Sequence, residues 1–221
     1  MYSFLWKDCY IGVETGEGKV TYMNGKFFDL KKEKQDRMIN AALKVFAQKG
    51  YRHASTDDIV KEAAISKGLL FHYFGSKLGL YTFIYDYSVR YMVLELKSAV
   101  PANETNLFEI LKQIEFAKIQ AVKGYPYMQQ FLNRSVSEDV SEALVAVEEM
   151  RGMLTETYDS LWAKMDFTKL PTGVDGNKLC KMIDFTVQGL MTERFRDASF
   201  QPDMLYTEIC EYIDLLEKLV K

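Results

Sequence analysis

The chain has 221 residues, 48% of them hydrophobic and 14% aromatic, with 4 Pro, 3 Cys and a formal net charge of −3. That length suits one compact domain, or a small one joined to a larger one, with a sizeable core, and the composition excludes a disordered chain, a collagen-like fibre and a small disulfide scaffold. Cys9, Cys180 and Cys210 are odd in number and far apart, and with only two histidines they make no zinc set, so reduced thiols, no metal and no cofactor are expected.

Met1 to Asp8 lacks the apolar run of a secretory signal and no stretch of 18 apolar residues follows, so a cytoplasmic protein with no membrane partner is expected. Within residues 1–28, Tyr10-Ile11, Val20–Met23 and Phe27-Phe28 are strand-like around an Asn24-Gly25 turn. The segment reads either as a β-hairpin appendage or as an extension ahead of a start at Met23. Charge is uneven along the chain. Residues 26–79 hold 11 Lys and Arg against 6 Asp and Glu, whereas residues 1–25 hold 2 against 3 and residues 80–221 hold 15 against 22. One basic segment on an acidic remainder suits a polyanion partner confined to that segment.

From Asp29 onward the periodicity is helical. Met38, Ile39, Ala42, Val45 and Phe46 recur at three- and four-residue steps and predict a helix over about 30–49, with Gly50 just past its end. Ser55 to Asp58 open a short second helix, Ser66 caps a third over about 67–74, and Ser76 caps a fourth running to about Lys97. Five more follow, at about 104–123, 126–135, 138–165, 175–196 and 202–220. The last two carry apolar stripes: Leu179, Met182, Ile183, Val187 and Leu190 on one, Ile209, Tyr212, Ile213 and Leu216 on the other.

Catalytic patterns fail on inspection. Gly18-Lys19 lacks a glycine at 13 and a Ser or Thr at 20, so it is no phosphate loop. No Gly-x-Ser-x-Gly elbow occurs, and the neighbouring carboxylates Glu138-Asp139 and Glu148-Glu149 point to different sides of a helix. No enzyme activity is expected.

The short helices between Asp29 and Phe74 carry the informative pattern. Two helices joined by Ala64-Ile65-Ser66-Lys67 make a helix-turn-helix whose second member can lie in a DNA major groove. With Leu70 and Phe74 turned inward, a 100° step per residue faces Gly68 and His72 outward and puts Leu69 and Phe71 on the flanks. Outward Leu and Phe suit thymine methyls, Gly68 admits a close phosphate, and Lys67 and His72 can donate to phosphate or guanine.

Gly50-Tyr51, Ser55 to Val60, Ala63 to Phe74 and Ser76-Lys77 closely resemble the DNA-binding domain of the TetR (tetracycline repressor-like) family of bacterial transcriptional regulators, over about fifty residues. Ala64 stands where the family usually has a turn glycine, Leu78 where it has glutamate and Phe71 where tyrosine is common. The resemblance implies an all-α fold, with a three-helix DNA-binding domain over 29–76 and an effector-binding and dimerisation domain over 77–221. It implies that Thr56 and Lys77 contact phosphate and that Ser66, Lys67, Gly68, Leu69, Phe71, His72 and Tyr73 form the recognition surface. It further implies a homodimer built on the last two helices, where the two apolar stripes lie, and an inducer held among the middle helices. The corresponding function is a ligand-responsive repressor that binds a palindromic operator in double-stranded DNA and is released by a small apolar or aromatic effector. Tyr87, Tyr91, Phe116, Met128, Phe131, Met150, Met153, Tyr158 and Trp162 supply the aromatic and methionine surface such an effector would need. Glu95 and Glu115 could pair a cationic ligand, but a solvent-facing place is expected for both. The alternative is an all-helical ligand carrier or enzyme with a vestigial DNA-binding domain.

Overall fold

Helical periodicity governs the structure: a computed structural model describes residues 25–195 and 201–220, and among these it holds nine α-helices and no strand. They are α1 (Lys32–His53), α2 (Thr56–Ala63), α3 (Lys67–Phe74), α4 (Lys77–Ala99), α5 (Leu107–Gly124), α6 (Met128–Ser135), α7 (Ser141–Trp162), α8 (Gly176–Arg194) and α9 (Pro202–Leu219). No helix among the described residues is long and apolar enough to cross a membrane.

The expected caps are in place. Ser55 Oγ accepts from Asp57 N at 3.1 Å, Ser66 Oγ from Leu69 N at 3.2 Å and Ser76 Oγ from Gly79 N at 2.9 Å, each satisfying a first-turn N–H that has no partner within its helix. Two expectations need correction. Phe27-Phe28 do not form a strand: Gly25–Asp29 is a 3-10 turn, held by buried Gln35, whose Nε2 donates to the Phe28 and Leu30 carbonyls at 3.1 and 2.8 Å. The other strand-like pieces, at 10–11 and 20–23, lie outside the described residues, as do Cys9 and Asn24. Gly50 is a kink rather than a stop, with φ 68° and ψ 174°, after which one more helical turn completes α1.

By packing, the chain divides into two units. Of the described residues, one takes those up to Arg90 together with Tyr125–Gly152; the other takes Tyr91–Gly124 and those from Met153 on. In the first, α1 packs against α2 and α6. Phe27, wholly buried, meets Tyr73, Phe74 and Phe83 at centroid distances of 5.7, 5.2 and 5.2 Å, and a second ring cluster joins Phe46, Tyr81 and Phe131. Such T-shaped and tilted pairs add a specific geometry to the burial of large apolar surfaces.

In the second unit α9 packs against α5 and α8. Here the expected dimer stripes are corrected. Leu179, Ile183 (3% exposed), Val187, Leu190, Ile209 and Ile213 (1%) are buried within the chain itself, and Leu216 is half-buried, whereas Met182 and Tyr212 are exposed. Exposed with them are Phe185 (61%), Met204, Leu215 (51%) and Leu219. A step of two residues turns a helix by 200°, so Phe185 and Leu215 lie nearly opposite Ile183 and Ile213. Both helices are apolar on two sides, and the sequence stripe selected the inner one.

Candidate nucleic-acid interface

The helix-turn-helix is built from local chemistry. At the end of α2, Ala64 takes a left-handed conformation, φ 50° and ψ 52°; its N–H bonds to the Lys61 carbonyl at 3.3 Å and the Ile65 N–H to the Val60 carbonyl at 3.1 Å. This is the paired closure of a Schellman motif, made here with alanine at the position that favours glycine. Ile65 and Ser66 complete the turn, and the Ser66 cap starts α3.

Leu70, Tyr73 and Phe74 form the inner side of α3, and Lys67, Gly68, Phe71 and His72 are exposed, with Leu69 half-buried. Tyr73 therefore departs from the expected recognition surface: it is 7% exposed, with its ring against Phe27. Phe27 comes from the segment that read as a strand, so nothing in the period of α3 alone marks Tyr73 as covered. A Cβ on Gly68 would meet nothing within 4 Å, so internal packing does not require glycine there. Thr56, half-buried, opens α2. Lys67 Nζ lies 2.8 Å from Asp57 Oδ1, a partner that the sequence reading overlooked although Asp57 follows Thr56 directly.

Lys77 is engaged within the fold. Its Nζ sits 4.6 Å above the Tyr51 ring and donates to the Arg52 carbonyl at 3.3 Å, near the C-terminal end of α1 where a cation is favoured. Burial lowers its pKa, opposed by Glu138 and Glu142. Those two carboxylates also hold Tyr51: its N–H, freed by the kink at Gly50, donates to Glu138 Oε2 at 2.8 Å and its hydroxyl to Glu142 Oε1 at 2.7 Å. Arg52 pairs with Asp139 at 3.1 Å.

The residues expected to meet an effector are dispersed. In the first unit Tyr87, Met128 and Phe131 are buried and Met150 is half-buried; Phe131 packs among Phe46, Tyr81 and Tyr85, a core role. Tyr87 shares a 2.5 Å hydrogen bond with the hydroxyl of Tyr125, which donates to Asp36 Oδ1 at 2.9 Å; burial pushes the Tyr87 hydroxyl up to about 12. In the second unit Tyr91, Met153 and Tyr158 are half-buried, and Phe116 and Trp162 are exposed against Tyr206 and Phe167. Glu115 corrects its expectation: it is buried, with Oε1 2.7 Å from Lys118 Nζ. Burial would lower the Lys118 pKa, but Glu115 and Tyr158 raise it overall. Glu95 is half-buried, and burial raises its carboxyl.

A family model described as bacterial regulatory proteins, tetR family, matches residues 38–82, from the second turn of α1 into α4. YuxN of Bacillus subtilis, an uncharacterised HTH-type transcriptional regulator, is 37% identical over 111 residues, 45% of this chain and 38% of that relative, so the chain spans well under half of its length. IcaR of Staphylococcus aureus, the HTH-type negative transcriptional regulator of the biofilm operon icaADBC, is 26% identical over 172 residues, 65% of this chain and 90% of that protein. Among solved structures, a TetR family transcriptional regulator of Chloroflexus aurantiacus superposes with a TM-score of 0.57 at 22% identity, over 89% of this chain and 97% of that one. FadR of Bacillus subtilis, solved in complex with stearoyl-CoA, gives 0.53 at 16% identity over 80% and 96%. Both likenesses are of fold.

Proposed function

We propose that this chain, whose residues 38–82 match the tetR family model and which resembles HTH-type transcriptional regulators, is itself such a regulator: it binds a palindromic operator as a homodimer, represses the adjoining genes, and is released when a small apolar or aromatic molecule binds outside the reading helices. The observation that supports the reading most directly is the exposed face of α3, where Lys67, Gly68, Phe71 and His72 stand on a helix fixed by the Ser66 cap and backed by Leu70, Tyr73 and Phe74. Repression is proposed by analogy with IcaR, a negative regulator. A small-molecule effector is proposed by analogy with FadR, solved with stearoyl-CoA. Release by an effector requires that it bind the DNA-free form more tightly than the DNA-bound one.

The seam proposed for the dimer is the exposed face of Met182, Phe185, Tyr212, Leu215 and Leu219. An isologous pairing of that face would present two copies of α3, which on DNA must lie about 34–36 Å apart to meet successive major grooves. Selection of duplexes from a random pool, followed by footprinting across a salt series, tests the reading. Enrichment of an inverted repeat is expected, with a linear log–log dependence of affinity on salt; a pool that enriches nothing overturns it.

A further inference from the structure

The start of α2 and the start of α3 share one exposed ion pair. Ser55 fixes the backbone at Asp57 and Ser66 fixes the first turn of α3, so Asp57 Oδ1 and Lys67 Nζ meet at 2.8 Å with side chains 70% and 52% exposed. An exposed pair of this kind is weak, and it yields when a better partner arrives. It is one of three: Asp58 holds Lys49 and Glu62 holds Lys44, each at 2.7 Å, so every acidic side chain of α2 occupies a lysine.

DNA offers Lys67 two kinds of acceptor. Phosphate oxygens occur at every step of any sequence, whereas the O6 and N7 of guanine occur only where the sequence places them. A carboxylate is an anionic acceptor of the same sort as phosphate. We infer that Asp57 is a specificity-determining residue: its carboxylate occupies Lys67 in place of phosphate, so that Lys67 contributes to binding only where a base edge replaces Asp57. The inference rests on the DNA-binding reading above and adds how the chain refuses arbitrary sequence.

Affinities of wild type, Asp57→Asn, Asp57→Ser and Lys67→Ala, with Asp57→Asn also in the Lys67→Ala background, are measured by fluorescence anisotropy on a scrambled duplex and on the duplex enriched from the random pool. On the scrambled duplex Asp57→Asn is expected to bind about five- to tenfold more tightly near ~0.1 M salt, with a log–log salt slope steeper by about one, because Lys67 now takes up one phosphate. On the enriched duplex the gain is expected to be about twofold, the release of one weak exposed pair. Without Lys67, Asp57→Asn should leave the slope unchanged. Asp57→Ser keeps a side-chain acceptor at the start of α2 and must reproduce the slope change if Asp57→Asn proves unstable. An unchanged slope on scrambled DNA, equal gains on the two duplexes, or the same slope change without Lys67 overturns the inference. A wild-type chain that binds neither duplex overturns the DNA-binding reading itself.

Discussion

Ala64 and Gly68 each occupy a position better suited to the other residue type. A left-handed alanine costs about 1–2 kcal/mol through contact of its Cβ with the carbonyl, while glycine adds about 0.4–1 kcal/mol of chain entropy to the unfolded state. Ala64→Gly is therefore expected to stabilise the fold by about 0.5–1 kcal/mol, raising the midpoint of thermal unfolding by a few degrees. Gly68, one residue inside α3 with open space where a Cβ would stand, should gain a similar amount on change to alanine, about 0.5–1 kcal/mol. Gly68→Ala is nonetheless expected to weaken DNA binding, because the added methyl holds the backbone away from the groove. A variant that is more stable and binds DNA undiminished would show that the glycine serves neither fold nor interface. At this scale Lys67, Gly68 and His72 were legible because a helix with two residues fixed inward has a defined outside. Tyr73 and Lys77 were not, because what covers them, Phe27 and Tyr51, reaches them across the fold.

The helices themselves were legible almost to their ends, since apolar spacing and capping serines act within a few residues. The side each helix buries was less so. Period alone cannot rank two apolar stripes on one helix, and on α8 and α9 the stripe holding Leu179, Ile183, Val187, Ile209 and Ile213 went inside while Phe185 and Leu215 remained out. The substitutions Phe185→Glu and Leu215→Glu are expected to give folded monomers by sedimentation and circular dichroism, whereas Ile213→Glu should cost several kcal/mol by burying a charge and unfold the second unit. A folded Ile213→Glu monomer would restore the inner stripe as the seam. The junction of α5 with α9 predicts a pH response. Lys112 Nζ lies 2.6 Å from Asp214 Oδ1 and 2.9 Å from Glu109 Oε1, and the hydrogen bond from Lys112 holds the Asp214 carboxyl below its ordinary value. A carboxyl whose pKa is lower folded than unfolded, about 3.9, stabilises above that value and ceases to do so as pH falls through the folded one. Asp214 is partly exposed, so the contribution is at most about 1 kcal/mol. Urea midpoints should fall less steeply in Asp214→Asn than in wild type as pH drops below about 4; parallel curves would leave the pair without a role.

Across the whole chain, the basic segment that pointed to a polyanion is less basic in space than in sequence. Lys44, Lys49 and Lys67 are paired with acids of α2, and Arg52 with Asp139 far along the chain. The 11 basic residues of 26–79 thus overstate the phosphates it would neutralise. The same long-range ties explain why the packing units could not be foreseen from a list of helices. Tyr125–Gly152 belongs with the chain up to Arg90, because α6 packs on α1 and Glu138 and Glu142 hold the backbone and hydroxyl of Tyr51. A hybrid in which residues 1–76 are joined to another regulator's body would strip α1 of the helix that covers it, and it is expected to melt well below a hybrid that also carries residues 125–152, as read by circular dichroism. The exchangeable part of this protein is thus discontinuous in its gene. One crossover cannot transplant it, so under the proposed DNA-binding role a new operator preference is reached more readily by point changes on the face of α3 than by recombination.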